Sequence, residues 1–203
     1  MNPYWLVHLL MLGLLSFSAS FSHTACAETY DDRAVVLVAQ SEMRDSAWSQ
    51  TVLLAAPAQA GWHIGLIINR PTDRSLASLF PQHEASKSVR EPVFFGGPSG
   101  TEALYALVKS AESPGRDALL LSAGLYLAVN ARTIDRMIET APADARFFVG
   151  FVTWRPGELE KEIERGVWSV GDPDQDVIFS KDTSRLWQDL SRGRNALSAQ
   201  LAH

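Results

Sequence analysis

Arg146–Arg165 reads RFFVGFVTWRPGELEKEIER, and this stretch sets the fold class. Arg146–Trp154 is rich in aromatic and β-branched residues, which favour a pleated, half-buried backbone. The period then changes. Leu159 and Ile163 stand four apart, while Glu158, Glu160, Lys161, Glu162, Glu164 and Arg165 fill the other faces. That pattern predicts an amphipathic helix with a narrow apolar stripe. Pro156 suits the first helical position, Glu158 and Glu160 suit the positive end of the helix dipole, and Gly166 suits a left-handed stop. The unit is a strand, a tight turn holding Trp154 and Arg155, and a helix.

Upstream, Ala34–Ala39 is a continuous apolar run that suits a strand buried on both faces. Gln40–Gln50 is polar apart from Met43 and Trp48 and reads as a loop or a short helix. Thr51–Ala56 and Trp62–Asn69 read as strands joined into a hairpin by the turn Pro57–Gly61. Arg70-Pro71 ends the second, because proline restrains its predecessor and cannot donate to a ladder. Leu76, Leu79 and Phe80 mark a short helix before the charged loop Pro81–Glu91. Pro92–Phe95 reads as a brief strand running into Gly96–Gly100, a stretch no regular element tolerates. Leu104–Val108 and Ala118–Leu121 read as strands, and Leu125–Val129 as another or as the lead into a helix. That helix, Thr133–Thr140, puts Ile134, Met137 and Ile138 on one face, with Asn130 or Arg132 near its start. Val167–Val170 and Val177–Phe179 flank the turn Gly171–Asp174. Asp182 can cap a last helix with Leu186, Trp187 and Leu190 inward.

Residues 1–27 contain no Asp, Glu, Lys or Arg, and a Leu-rich core leads to Ala25-Cys26-Ala27. This is the pattern of a secretory signal peptide cleaved after Ala27, which predicts a periplasmic or secreted protein. Lipidation of Cys26 ranks second, because His23 stands where a Leu-like residue is wanted. An uncleaved anchor is disfavoured, because serines interrupt the apolar run too early for a span. The expected organisation is a leader over 1–27, one domain over 28–192 and a polar tail over 193–203, with no membrane span after cleavage. Cys26 is the single cysteine and would leave with the leader, so the body would hold no disulfide or thiolate site. At 46% hydrophobic residues the body can build an ordinary core. Its net charge of −5, with no basic run, argues against nucleic acid as a partner.

His63, His83 and His203 show no metal-ligand spacing, and no metal or cofactor is expected. Ser99 lacks the spacing of a nucleophile elbow. Gly96-Gly97 reads as a loop needing backbone freedom, with anion binding by its amides as the weaker alternative. Asn69-Arg70-Pro71 and Trp154-Arg155-Pro156 each end a strand. Side by side, those ends would bring Asn69, Arg70, Arg155 and Glu158 together near the helix start, with arginines able to fork onto an anion. The structural alternative has Asn69 satisfying turn backbone, Trp154 packed and the arginines paired with acids. The glutamates of 158–164 read as a solvated helix face, and Trp48, Trp62 and Trp168 as core or rim aromatics. No catalytic set stands out.

Taken in order, LVAQSEMRD (37–45), GLIINRP (65–71), GGP (96–98), GFVTWRPGELEKEI (150–163) and Trp168 resemble the YqgE/AlgH family over about Val36–Leu190. The resemblance implies an α+β fold: a mixed, strongly bent sheet partly closed into a barrel, with three or four short helices. It attaches no particular enzymatic activity to the chain and leaves the question of an enzyme open, leaning against one. The family takes its name from a proposed regulator of alginate production. Its motifs fall on Asn69, Arg70, Pro71, Gly96, Gly97, Pro98, Trp154, Gly157 and Glu158. Here Thr153 replaces the small residue the family places before Trp154, so close backbone approach at Trp154 is not expected.

The ligand-binding set to test is Asn69, Arg70, Gly96, Gly97, Trp154, Arg155 and Glu158. The first functional reading is a non-enzymatic binding or regulatory module of the cell envelope, with a partner protein or a small anion as its ligand. The second is a hydrolase or transferase using Glu158 as base and the Gly96-Gly97 amides as oxyanion donors. The third, a DNA-linked regulator, follows from the family name alone.

Overall fold

One strand, Ala145–Trp154, joins two half-sheets, and the computed structural model is arranged around it. The described residues are 33–43, 45 and 47–201, with side chains through 193. The expected leader, Cys26 and His203 lie outside them.

In chain order the strands are β1 (Val35–Ala39), β2 (Val52–Pro57), β3 (His63–Ile67), β4 (Pro71–Ser75), β5 (Pro92–Phe95), β6 (Ser99–Lys109), β7 (Ala118–Ser122), β8 (Leu125–Ala128), β9 (Ala145–Trp154) and β10 (Trp168–Gly171). Their order across the sheet is β10-β1-β2-β3-β9-β6-β8-β7, with β5 also on β9 and β4 on β5. Neighbours are antiparallel except β5 and β9, which run parallel. The helices are α1 (Leu76–Leu79), α2 (Ala131–Thr140), α3 (Glu158–Glu164), α4 (Gln175–Ile178) and α5 (Leu186–Leu201).

The curl gives the sheet an inside and two outer faces. Alternate residues of β1–β3 (Val36, Val38, Leu54, Leu66) and Ile68, just past β3, meet Leu107, Leu127 and Phe148 inside, and α4 and α5 close that core with Ile178 and Leu186. The opposite residues (Val35, Leu37, Leu53, Ile67) face outward under α3, whose Leu159 is fully buried. Every residue of β1 is therefore buried, as its unbroken apolar run predicts. On the other half-sheet, Ala106, Val108 and Phe147 pack under Ile134, Met137 and Ile138 of α2 and Leu76 of α1. Asn130 caps α2 by accepting from the Arg132 N–H, and Ser75 and Ser78 form a reciprocal capping box on α1.

The bent α+β fold expected from the family resemblance is therefore present, with five helices among the described residues instead of three or four. The extra one is α4, capped by Asp174, where the sequence reading placed the flank of a turn. Four further expectations change. Arg70-Pro71 ends β3 but also opens β4, an exposed polar strand paired to β5 at Pro71↔Phe94 and Ser75↔Pro92. Ser99 and Gly100 belong to β6, whose register shifts between Ser99 and Leu104, so a bulge admits glycine where regular pairing would not. Pro156 stands one residue before the α3 N-cap, Gly157, which adopts the left-handed region at φ 76°. Finally, α5 runs past Gly193 to Leu201.

Candidate functional site

Gly96 and Gly97 lie where β9 changes neighbours. Phe148 and Val149 of β9 pair with β5, whereas Val152–Trp154 pair with β3, and Gly150 sits between at φ 73°. The Gly96 N–H donates to the Val149 carbonyl at 2.8 Å, and its carbonyl accepts from Ile67 N–H at 2.9 Å. A Cβ on Gly96 would stand 2.2 Å from Gly150 O, and one on Gly97 2.3 Å from the Phe151 carbonyl carbon. The two glycines permit a backbone crossing. The Gly96 amide is engaged by the sheet, so it cannot be an oxyanion donor.

Asn69 and Arg70 follow the far end of β3. Asn69 Oδ1 accepts from Val52 N–H and its Nδ2 donates to Gln50 O, both at 2.9 Å, so Asn69 pins the end of the 40–50 loop. Gln50 takes a positive φ of 55° there. Arg70 Nη2 donates to Thr51 Oγ1 at 2.6 Å and more weakly to Ser49 O at 3.4 Å. Among the described residues, Arg70 Nε and Nη1 have no hydrogen-bond acceptor, and no carboxylate lies within ion-pair distance of the guanidinium. Burial alone pulls its pKa below the usual arginine value. Arg70 lines a recess of about 230 Å³ with Gln50, Asn69, Thr183, Ser184 and Gln188.

Trp154, Arg155 and Glu158 occupy the opposite end of β3. The register pairs His63 with Trp154, which leaves Asn69 six residues away, about 20 Å along an extended strand. The expected convergence of Asn69 and Arg70 with Arg155 and Glu158 does not occur, because β3 and β9 are antiparallel. Arg155 is exposed, and its backbone N–H donates to Glu158 Oε2 at 2.8 Å, so Glu158 reaches back over the start of α3. One Glu158 oxygen and the Gly96 amide, the proposed base and an oxyanion donor, are thus both engaged by backbone partners.

Trp154 is 4% exposed, and its indole lies back over Gly65, where a Cβ would meet the ring at 2.7 Å. Close backbone approach at Trp154 does exist, across the strand pair and not at the preceding residue. Its Nε1 donates to Glu162 Oε2 at 2.9 Å, and Trp168 Nε1 donates to the same oxygen at 2.8 Å. These residues floor a recess of about 330 Å³ walled by Met43, Asp45, Trp48 and Glu158. The glutamate face of α3 is therefore only partly solvated. Glu162 is half-buried, and Glu160 Oε1 stands 3.9 Å from buried His63 Nδ1.

Two charged clusters went unforeseen. Arg146 is 1% exposed and forks onto Glu91, with Nη2–Oε1 at 2.6 Å, while donating to the carbonyls of Ile178 and Ser180. Its guanidinium lies 4.4 Å from the Phe94 ring centroid. His83 Nε2 faces Asp135 at 3.2 Å and Glu139 at 3.9 Å, and its Nδ1 meets buried Ser86 Oγ at 2.6 Å. These three side chains have the donor types for a divalent cation, contrary to the spacing argument against metal. An imidazole hydrogen-bonded to Asp135 beside Glu139 accounts for the same geometry without an ion.

The fold and its glycine crossing define a class: a curled, half-barrel α+β domain with recesses at both ends of its central strand pair. The chain belongs to the AlgH-like family (DUF179), whose model matches residues 36–195. A UPF0301 protein of Bordetella petrii is 33% identical over 153 residues, covering 70% of this chain and 73% of the relative. One from Chlorobium phaeobacteroides is 26% identical over 162 residues, covering 78% and 84%. The solution structure of the AlgH protein from Pseudomonas aeruginosa superposes with a TM-score of 0.69 at 23% identity, covering 87% of this chain and 96% of that one. The crystal structure of DIP2367 from Corynebacterium diphtheriae gives 0.66 at 22%, covering 79% and 86%. At these identities the structural likeness speaks for the fold alone.

Proposed function

We propose that this chain is a non-enzymatic binding module of the cell envelope whose ligand is a small anion seated on Arg70. One observation carries the reading: a half-buried guanidinium with two nitrogens that lack acceptors and no carboxylate in reach among the described residues. A partly desolvated cation without a counter-ion among the described residues is an arrangement an anion completes. Thr183, Gln50 and Gln188 supply hydroxyl and amide donors around it. The recess is small, so the ligand is a carboxylate or phosphate group with little attached to it. Export is supported by the pattern of residues 1–27, and the intact mass of protein recovered from its own cells tests it. A chain beginning at Glu28 is the expected result, and one beginning at Met1 would refute it.

The binding test is a two-dimensional amide NMR titration with acetate and with inorganic phosphate. Saturable shifts at Gln50, Arg70 and Ser184 that vanish in Arg70→Gln are expected. Shifts that persist in that variant, or none at all, would remove Arg70 as the anchor.

A further inference from the structure

We infer that the recess beneath the 40–50 loop is a second binding site, for a small protonated primary amine, with Glu162 receiving the ammonium group. Its walls are aromatic, and among the described residues its charge is wholly negative. Trp48, Trp154 and Trp168 line it with Met43, and Asp45, Glu158 and Glu162 are its charged residues, with no lysine or arginine among the described lining residues. Tryptophan is the side chain that attracts a cation best, and partial desolvation strengthens that attraction. Glu162 Oε2 is saturated by two indole N–H groups. Its Oε1 takes no hydrogen bond, and Glu162 has no ion pair, among the described residues. A neutral glutamine would serve two indoles equally well, so the negative charge needs a reason of its own. An ammonium on Oε1 supplies one. The free acceptor selects an amine that carries N–H donors over a quaternary ammonium. The volume, about 330 Å³, lies at the small end of ligand pockets. This recess shares no lining residue with the Arg70 recess and has the opposite charge. Arg44 is the single basic residue of the loop sequence and lies outside the described residues, so the test includes it.

The experiment follows the indole N–H resonances of Trp154 and Trp168 while n-butylammonium, tetramethylammonium or n-butanol is added. Saturable shifts with n-butylammonium are expected, with tetramethylammonium at least about tenfold weaker and n-butanol inert. Glu162→Gln, checked for a dispersed native spectrum, weakens n-butylammonium by about tenfold or more. Should that variant fail to fold, Glu158→Gln, which keeps the acceptor for the Arg155 N–H, is expected to weaken binding severalfold. The amine response is read at the Trp154 and Trp168 indoles and the phosphate response at Gln50, Arg70 and Ser184, so failure of the anion reading is told apart from failure of this one. Equal shifts with n-butanol, or none with n-butylammonium, overturn the proposal. Binding that appears only in Arg44→Ala overturns it too, because the chain's own arginine would then be the occupant.

Discussion

Replacing Arg146 by methionine tests whether a buried cation holds the C-terminal segment against the sheet. The side chain is 1% exposed and Glu91 is 33% exposed. Four of its five N–H donors are used: Nε and Nη2 on Glu91, Nη1 on Ile178 O at 2.7 Å, and Nη2 on Ser180 O at 2.9 Å. Methionine roughly keeps the volume over Phe94 and supplies no donor. Water can take over much of the Glu91 contact, so the loss falls mainly on the two carbonyls. Hydrogen bonds to a charged group contribute about 1.5–3 kcal/mol each, and a broken buried pair costs about 3–5 kcal/mol in all. With a urea slope of about 2 kcal/mol/M, the midpoint should fall by about 2 M. Glu91→Leu alone strands the buried guanidinium and should cost about 3 kcal/mol. The double variant removes both charges, so it should lose at least about 1.5 kcal/mol less than the sum of the singles. A midpoint drop under about 0.5 M in Arg146→Met, or strict additivity in the cycle, would refute the reasoning.

Gly96→Ala forces a Cβ to 2.2 Å from a backbone oxygen that cannot swing away, and Gly150→Ala adds a positive φ to a 2.0 Å clash with Gly97 O. Each should cost more than about 3 kcal/mol, read as lost soluble yield or a collapsed urea midpoint. Gly65→Ala crowds the Trp154 ring and leaves Leu54 O at 3.4 Å, so a smaller cost of about 1–3 kcal/mol is expected, together with a displaced indole N–H resonance. Asp182 titrates below the usual aspartate value because the Ser184 hydroxyl and backbone N–H donate to it. Its contribution to stability is therefore complete above the unfolded pKa and is lost as pH falls through the lower folded one. Ser184→Ala should raise the Asp182 carboxyl titration, measured by NMR, back toward the ordinary value.

Apolar patterning made most of the fold legible. β1, β2, β3, β9, α2 and α3 all declared themselves, because each buries at least one face and the period of that burial is written in the residues. β4 did not. PTDRS has no apolar alternation and pairs only with β5, so its strand state comes from its partner. The site was less legible because convergence depends on strand direction. Nothing within Gly65–Pro71 or Gly150–Pro156 states that His63, and not Asn69, will face Trp154. Glu162 was hidden by reading α3 through Leu159 and Ile163 alone. The available signal was chemical: two buried tryptophans on either side in sequence each need an acceptor. Arg146 offered a similar clue, a lone cation opening an apolar strand.

The motifs that carry the family resemblance divide by what they do, and the division bears on where binding can occur. GGP and Gly150 serve a crossing in which atoms from two chain segments come within van der Waals range, and no ligand can enter there. Asn69 spends its amide on the 40–50 loop, and Glu158 spends an oxygen on the Arg155 N–H. Once those roles are filled, Arg70 in two nitrogens and Glu162 in one oxygen are half-buried groups that keep capacity without a partner among the described residues. They lie in separate recesses with opposite charge, and the 40–50 loop contributes to both, through Trp48 in one and Ser49 and Gln50 in the other. A ligand that shifts this loop in one recess must alter the wall of the other. Saturating the Arg70 recess with phosphate should therefore change the n-butylammonium affinity, and linkage requires the reverse effect to be equal. Strictly independent titrations would show the loop to be a rigid divider.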